Sequence, residues 1–354
     1  MAGAPDKLPV RNARAVVVLW VAALLVGAFI ILWPVWAGIV ASNDDIKFLR
    51  EPSCVLPVWD RVCDAWKHSA SFRPLEIIVS ASCDATTLAC GLVMPVQALA
   101  LVVLAWAVVG LADRVAPGNR AVAPIALLWI GLSPPATTAA WQMDAASQTW
   151  SAALGAWAML LAWRACAAAR LGRNAWFELI WLAVVFAIGV NVKETMYGWS
   201  AAIGTATIVA VVWCALRDRS AMWRTSLILL PTVVLPVAHM AARVATGALG
   251  SAAKADPGAR YQAELGLNVL VNSAMTIAGC LGNGPFHLLT DNDAPIALRV
   301  LPLLAIALVA GVLMTAIGFA LFHRRVHGPS MLLTATLLAV VAFASTAATI
   351  PMGS

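Results

Sequence analysis

The sequence predicts an all-α integral membrane protein with about nine transmembrane helices, and three observations carry that prediction. Of its 354 residues, 62% are hydrophobic and only 11% charged, against roughly 25% charged in a soluble domain. Its apolar runs approach or exceed the roughly 20 residues that a helix needs to cross a bilayer. Its arginines collect in alternate connections between those runs, as cytoplasmic loops do.

The mean hydropathy of +0.87 agrees. A chain solvated by lipid must pair every backbone N–H and C=O internally. Long Ala, Leu and Val runs broken by Gly and Pro satisfy this as helices. A barrel would show alternating segments of roughly 10 residues, and none occur. The net charge is +6. No basic patch interleaved with aromatics accompanies it, so nucleic acid is not an expected partner.

The apolar runs place spans at about 15–40, 76–112, 121–140, 145–169, 176–192, 196–216, 225–247, 298–322 and 330–350. The first run follows Lys7, Arg11 and Arg14. It is longer than the roughly 7–15 residue core of a signal peptide and reads as an uncleaved first helix. Pro134 and Pro135 interrupt the end of the third run. The whole chain, 1–354, reads as one polytopic membrane domain.

Orientation follows from charge. Connections on one side hold Arg114, Arg120, Arg164, Arg170, Arg173, Arg217, Arg219, Arg224, Arg324 and Arg325, with few acids among them. That side is expected to be cytoplasmic, with the N-terminus inside. Two long connections then face outward, about 41–75 and 248–297. The first is charged and Trp-rich, which suits short interfacial helices. The second carries an apolar stretch, Leu265 to Leu281, too short to span comfortably. Cys54 and Cys63, in the first outer loop, are placed where a disulfide could form. Cys83 and Cys90 are seven apart within an expected helix. They read, with Cys166 and Cys214, as small buried hydrophobes. No Cys/His spacing resembles a zinc site.

Four polar groups stand out at the outer helix ends. Ser42-Asn43-Asp44-Asp45 follows the first helix. Adjacent carboxylates there serve as a general base or metal ligand, or cap the next segment. Arg73 precedes Pro74 at the start of the second helix. It offers a planar fork to phosphate oxygens, or extends to the interface. Lys193-Glu194 interrupts an apolar stretch, and ionisable residues in such places are candidate site residues. Asp144 and Gln148 are four apart and share a helix face. Asp144 also suits a helix N-terminus electrostatically. Arg243, Lys254, Arg260, Tyr261 and His287 are weaker candidates on the same side. His68 and His239 read as packing or interface residues.

An acidic pair opening a long first outer loop, Phe72-Arg73-Pro74-Leu75 closing it, and Lys193-Glu194 at a later outer helix end resemble the membrane glycosyltransferases of the GT-C fold. These include the protein O-mannosyltransferases and the lipid A aminoarabinose transferases. The likeness covers roughly residues 1–220. It implies a polyprenyl-phosphate-linked sugar donor, a glycan, lipid or protein acceptor, and transfer at the outer face of a cell membrane of the bacterial inner-membrane kind. Asp44 then matches the catalytic base. Asp45 matches an orienting or metal-binding partner, the metal being a divalent cation. Arg73 and Lys193 fall near the donor phosphate, with Glu194, Asp144 and Gln148 as further substrate contacts. A transporter or flippase for a lipid-linked or anionic substrate is the competing expectation. It would place paired charges near mid-membrane in broken helices. A non-catalytic membrane scaffold is a third. It would not require Asp44, Arg73 and Lys193 to meet around one cavity.

Overall fold

The computed structural model describes residues 10–37, 57–68, 74–81, 83–84, 89–90, 93–115, 117, 119–132, 146–193, 195–216 and 218–246. The spans expected at 298–322 and 330–350 lie outside the described residues. So do Asp44, Asp45, Arg73, Asp144 and Glu194, together with Lys254, Arg260, Tyr261 and His287.

The described chain is helical apart from one two-residue antiparallel pair. In order it comprises α1 (Val10–Ala37), α2 (Val58–His68), α3 (Pro74–Ala81), β1 (Cys83–Asp84), β2 (Ala89–Cys90), α4 (Val93–Val115), α5 (Val122–Leu132), α6 (Ala146–Arg170), α7 (Trp176–Gly189), α8 (Thr195–Ala215), α9 (Arg219–Ser226), a π-helical turn (Leu230–Val234) and α10 (Leu235–Ala245). Five stretches are long and apolar enough to cross a membrane: Arg14–Leu32, Met94–Val115, Ser147–Arg170, Thr195–Ala215 and Arg219–Ala245. The shorter α7 is apolar apart from Glu178 in its first turn. The protein is thus a helical membrane protein, as its composition requires.

Two expectations are corrected. The single span expected at 76–112 is broken: α3 ends at Ala81, a hairpin follows, and α4 starts at Val93. Cys83 and Cys90 therefore do not share a helix face. They are direct partners in the antiparallel pair, with Asp84 opposite Ala89. The residues between explain it. Ser82, Asp84, Thr86 and Thr87 are weak helix formers that compete for backbone hydrogen bonds. Gly91 follows, and Pro95 suits the first turn of a new helix. A hydropathy window averages across this polar interruption because strongly apolar residues flank it.

Helix directions follow from paired contacts. Trp106 of α4 stacks near Trp157 of α6 at 5.2 Å, and Gly110 lies against Leu160. Both positions advance together, so α4 and α6 run parallel. Ser151 bonds Thr195 and Gly155 meets Trp199, so α6 and α8 are parallel as well. Tyr197 meets His239, Ser200 meets Thr232 and Gly204 meets Val233, so α8 runs antiparallel to the chain from α9 to α10. The ends that carry Arg114, Arg170 and Arg224 consequently gather at one end of the bundle. Arg224 lies beside Gly172 in the α6–α7 turn there, and Arg164 pairs with Glu178 at 3.6 Å. This is the basic end; the opposite is the far end.

α6 is the central helix. Its Ala153, Ala158, Ala162 and Ala165 are fully or almost fully buried. With lipid as solvent, helices associate through close packing of small residues rather than through the hydrophobic effect. The core then fills with Leu154, Met159, Leu182, Phe186, Met196, Trp199 and Ile228 from α6, α7, α8 and the α9–π connection. α6 terminates at Gly172, whose φ of +69° is a left-handed conformation that glycine adopts freely. Arg173 N–H donates to Ala168 O at 2.8 Å and Gly172 N–H to Ala169 O at 3.2 Å. That pair of bonds satisfies the last carbonyls of the helix. α9 starts at Asp218, whose carboxylate accepts from the Ser220 and Ala221 amides at 2.8 and 3.3 Å. Hydrogen bonds, first that of the Ser220 side chain, hold this carboxyl below its ordinary range.

Pro231 and Pro236 shape the last described span. Neither has an N–H to donate, so each frees a carbonyl four residues back. Leu230 N–H takes up Leu227 O at 3.2 Å. The Ser200 hydroxyl of α8 donates to Thr232 O, where both residues are buried. Neighbouring helices commonly re-satisfy such groups in membranes. Replacing Ser200 with alanine is expected to destabilise the bundle by about 1 kcal/mol. A thermal melt in detergent measures this. An unchanged melting temperature would mean that the bond contributes nothing.

Candidate functional site

The far end is built from the turn between α7 and α8, the first turn of α8 and the second half of α10. A π turn holds one residue more than an α turn, so it re-aims the helix that follows. After it, α10 presents His239 and Arg243, four apart on one face, to the far end.

His239 is the hub. The Tyr197 hydroxyl bonds its Nδ1 at 2.7 Å, and its Nε2 meets Asn191 Oδ1 at 3.1 Å. The Asn191 amide nitrogen already donates to Ala187 O at 2.7 Å, so its oxygen faces the imidazole and can only accept. His239 therefore carries its proton on Nε2, and Nδ1 accepts from Tyr197 in the neutral ring. This chain of bonds ties α7, α8 and α10 together. Tyr197 and His239 are 42 residues apart in sequence, Asn191 and His239 48.

α2 lies across this network. Trp59, Val62, Cys63 and Trp66 form one stripe of the helix, with Asp60, Asp64 and Lys67 on another, a pattern suited to an interface. The Trp66 ring meets the His239 ring edge-on at 5.5 Å, and the Arg243 guanidinium sits 5.4 Å from the Trp66 ring centre. Cations over indole faces are stabilised by the ring quadrupole. Arg243 retains only 5% of its exposure, and Arg61 of α2 is also buried. Cys63 is an unbridged thiol; Cys54, its expected partner, lies outside the described residues.

Lys193 is also buried, at 8% exposure. Its amide donates to Gly189 O at 3.2 Å and its carbonyl accepts from Met196 at 3.1 Å. These bonds fix it in the α7–α8 turn, two residues from Asn191. Gln148 is exposed on the first turn of α6. One turn further, Ser151 bonds Thr195 Oγ1 at the start of α8. The indole Nε1 of Trp150 is buried and has no partner among the described residues.

Of the sequence-derived site residues, the structure thus describes Lys193 and Gln148, and Lys193 sits in the same α7–α8 turn as Asn191, the His239 partner. It adds Asn191, Tyr197 and Trp66, which the sequence reading passed over. It brings in Arg243 as well, and gives His239 polar partners on α8 and in the α7–α8 turn. The spacing of His239 and Arg243 on one helical face was the available signal. No group of three His, Cys, Asp or Glu side chains able to hold a metal ion occurs among the described residues.

A buried arginine beneath an aromatic roof, one turn from a neutral imidazole, with a buried lysine at the same end of the bundle, can hold an anion. Arginine supplies a fork that matches phosphate oxygens, and lysine a compact point charge. Burial strengthens both, because the local dielectric is lower than that of water. No protein-family model matches this chain, and no curated protein or solved structure matches it.

Proposed function

We propose that the protein is a membrane glycosyltransferase. It moves a sugar from a polyprenyl-phosphate-linked donor to an acceptor on the non-cytoplasmic face. The observation that carries this reading is a pair of buried cations at the far end: Arg243 under Trp66 of an amphipathic helix, and Lys193 in the α7–α8 turn. A donor of this class offers a phosphate to the cations and a lipid chain to the bilayer beside α2. The orientation follows from the basic end. Short connections rich in arginine remain cytoplasmic, which puts the N-terminus inside and the far end outside.

In the proposed reaction an acceptor hydroxyl oxygen attacks the anomeric carbon of the sugar. The bond from that carbon to the phosphate oxygen breaks, and polyprenyl phosphate leaves with the bonding pair. Asp44 takes the hydroxyl proton as general base. Asp45 orients it or binds a divalent cation. Arg73, Lys193 and Arg243 stabilise the phosphate charge that develops. Glu194, Asp144 and Gln148 complete the substrate contacts. A leaving phosphate needs no strong acid, so this residue set is chemically sufficient.

Transport or flipping of a lipid-linked or anionic substrate is the second reading. Its specific support is the Pro-interrupted span with its π turn, since broken helices build many transport sites. The two readings separate on one assay: sugar transfer in membranes from a panel of radiolabelled polyprenyl-phosphate sugars. Wild type is expected to transfer from at least one donor. Asp44→Asn is expected to lower that rate by about 100-fold or more. Full activity in Asp44→Asn would remove Asp44 as the base. Failure with every donor, alongside movement of the lipid between leaflets, would favour transport.

A further inference from the structure

We propose that Cys83 and Cys90 are joined by a disulfide that closes the hairpin between α3 and α4. The register makes them direct partners in the antiparallel pair. Direct partners in such a pair have Cα atoms about 4.5 or 5.5 Å apart. A disulfide spans Cα separations of about 4.4–6.8 Å, so either kind of pair is in range. Cross-strand partners also lie on the same face of the ladder.

Two further observations point to the bond. The ladder is only two residues long on each strand, and an isolated two-stranded hairpin is marginal at best in water. A covalent link across its outer pair fixes the register that two residue pairs alone hold weakly. The hairpin also lies on the far side of α4 from the basic end, since α4 runs from Val93 towards Arg114. In the orientation of the proposed function, on which this inference rests, that side is the oxidising compartment where disulfides persist.

The chemistry balances through exchange with a protein disulfide of that compartment. The thiolate of one cysteine attacks the carrier disulfide, and a mixed disulfide forms as one carrier sulfur leaves as thiolate. The second cysteine then attacks the mixed disulfide and releases the other carrier sulfur. The two cysteines are oxidised, the carrier is reduced to a dithiol, and the thiol protons pass to water or the carrier. The product staples the connection from α3 to the start of α4, where Gln97 is buried.

The test uses the full-length wild-type chain in native membranes. No Lys or Arg lies between Arg73 and Arg114, so one tryptic peptide holds both residues and no other cysteine. Free thiols are blocked with N-ethylmaleimide in denaturant before digestion and mass spectrometry. The expected peptide is unblocked and lighter by the lost thiol hydrogens, and accepts alkyl groups at both cysteines only after reduction. Blocking of both cysteines without reduction overturns the proposal, as does a link from either to another peptide. In Cys83→Ser, the freed Cys90 is then probed with a membrane-impermeant maleimide on intact cells. Labelling from outside supports the orientation. If the wild-type disulfide is missing although Cys90 is reached from outside, the disulfide fails alone. If Cys90 is reached only from the cytoplasmic side, the orientation has failed and taken the disulfide with it.

Discussion

Gly155→Leu is expected to abolish the packed bundle. A Cβ built on Gly155 would overlap the Trp199 indole, and Trp199 is held in the core between α6, α7 and α8. The indole cannot retreat without displacing Leu182, Phe186 or Met196, which are among the most buried side chains. Overpacking of well-filled cores costs about 1–3 kcal/mol, and more where backbones must part. The α6–α8 pair also positions Thr195 and Lys193, so its separation removes the far-end site. Detergent-extracted Gly155→Leu is expected to aggregate on size-exclusion chromatography. Gly155→Leu combined with Trp199→Ala is expected to recover part of the monodisperse peak, because it clears the overlap. A monodisperse single variant with wild-type thermal stability would contradict the α6–α8 packing.

Arg243→Ala is expected to lower the transfer rate by about 100-fold, the scale seen when one charge-stabilising donor is removed from an active site. The loss follows from geometry. Arg243 is buried beneath Trp66 one turn beyond His239, so its charge acts where water does not screen it. Arg243→Lys keeps the charge but loses the planar fork and much of the stacking, and an intermediate rate is expected. The thermal stability of Arg243→Lys is expected to stay near wild type. That separates a binding role from a structural one. Equal loss in both variants with a collapsed melting temperature would assign Arg243 to the fold instead.

Much of the architecture can be read from residue type and length alone. Apolar runs fix where helices can cross, because lipid leaves the backbone no other partner. The arginines mark a common end, and the paired contacts of α4, α6 and α8 bring those arginines together independently of any rule about loops. The hairpin at Cys83–Cys90 is hidden for a physical reason. Ser82 to Thr87 interrupt the helix by competing for backbone hydrogen bonds, yet they add too little polarity to lower the mean hydropathy of the flanking runs. The site divides in the same way. Lys193 is conspicuous because a charge in an apolar stretch is costly. Asn191, Tyr197 and His239 carry no such mark, and they matter through bonds to partners more than 40 residues away. The re-aiming of α10 by the π turn depends on which carbonyls Pro231 and Pro236 free and which neighbour satisfies them. Proline positions alone do not give that answer; the Ser200 hydroxyl does.

The most direct test of the far-end site is equilibrium binding of polyprenyl phosphate to purified protein in lipid nanodiscs, comparing wild type with Lys193→Ala and Arg243→Ala. Both variants are expected to bind at least about 10-fold more weakly, a loss of about 1.4 kcal/mol each. The weakening is expected to shrink in high salt less than a surface charge pair would, because both cations are buried. Wild-type affinity in both variants would contradict the account, and would leave the buried cations as parts of the fold alone.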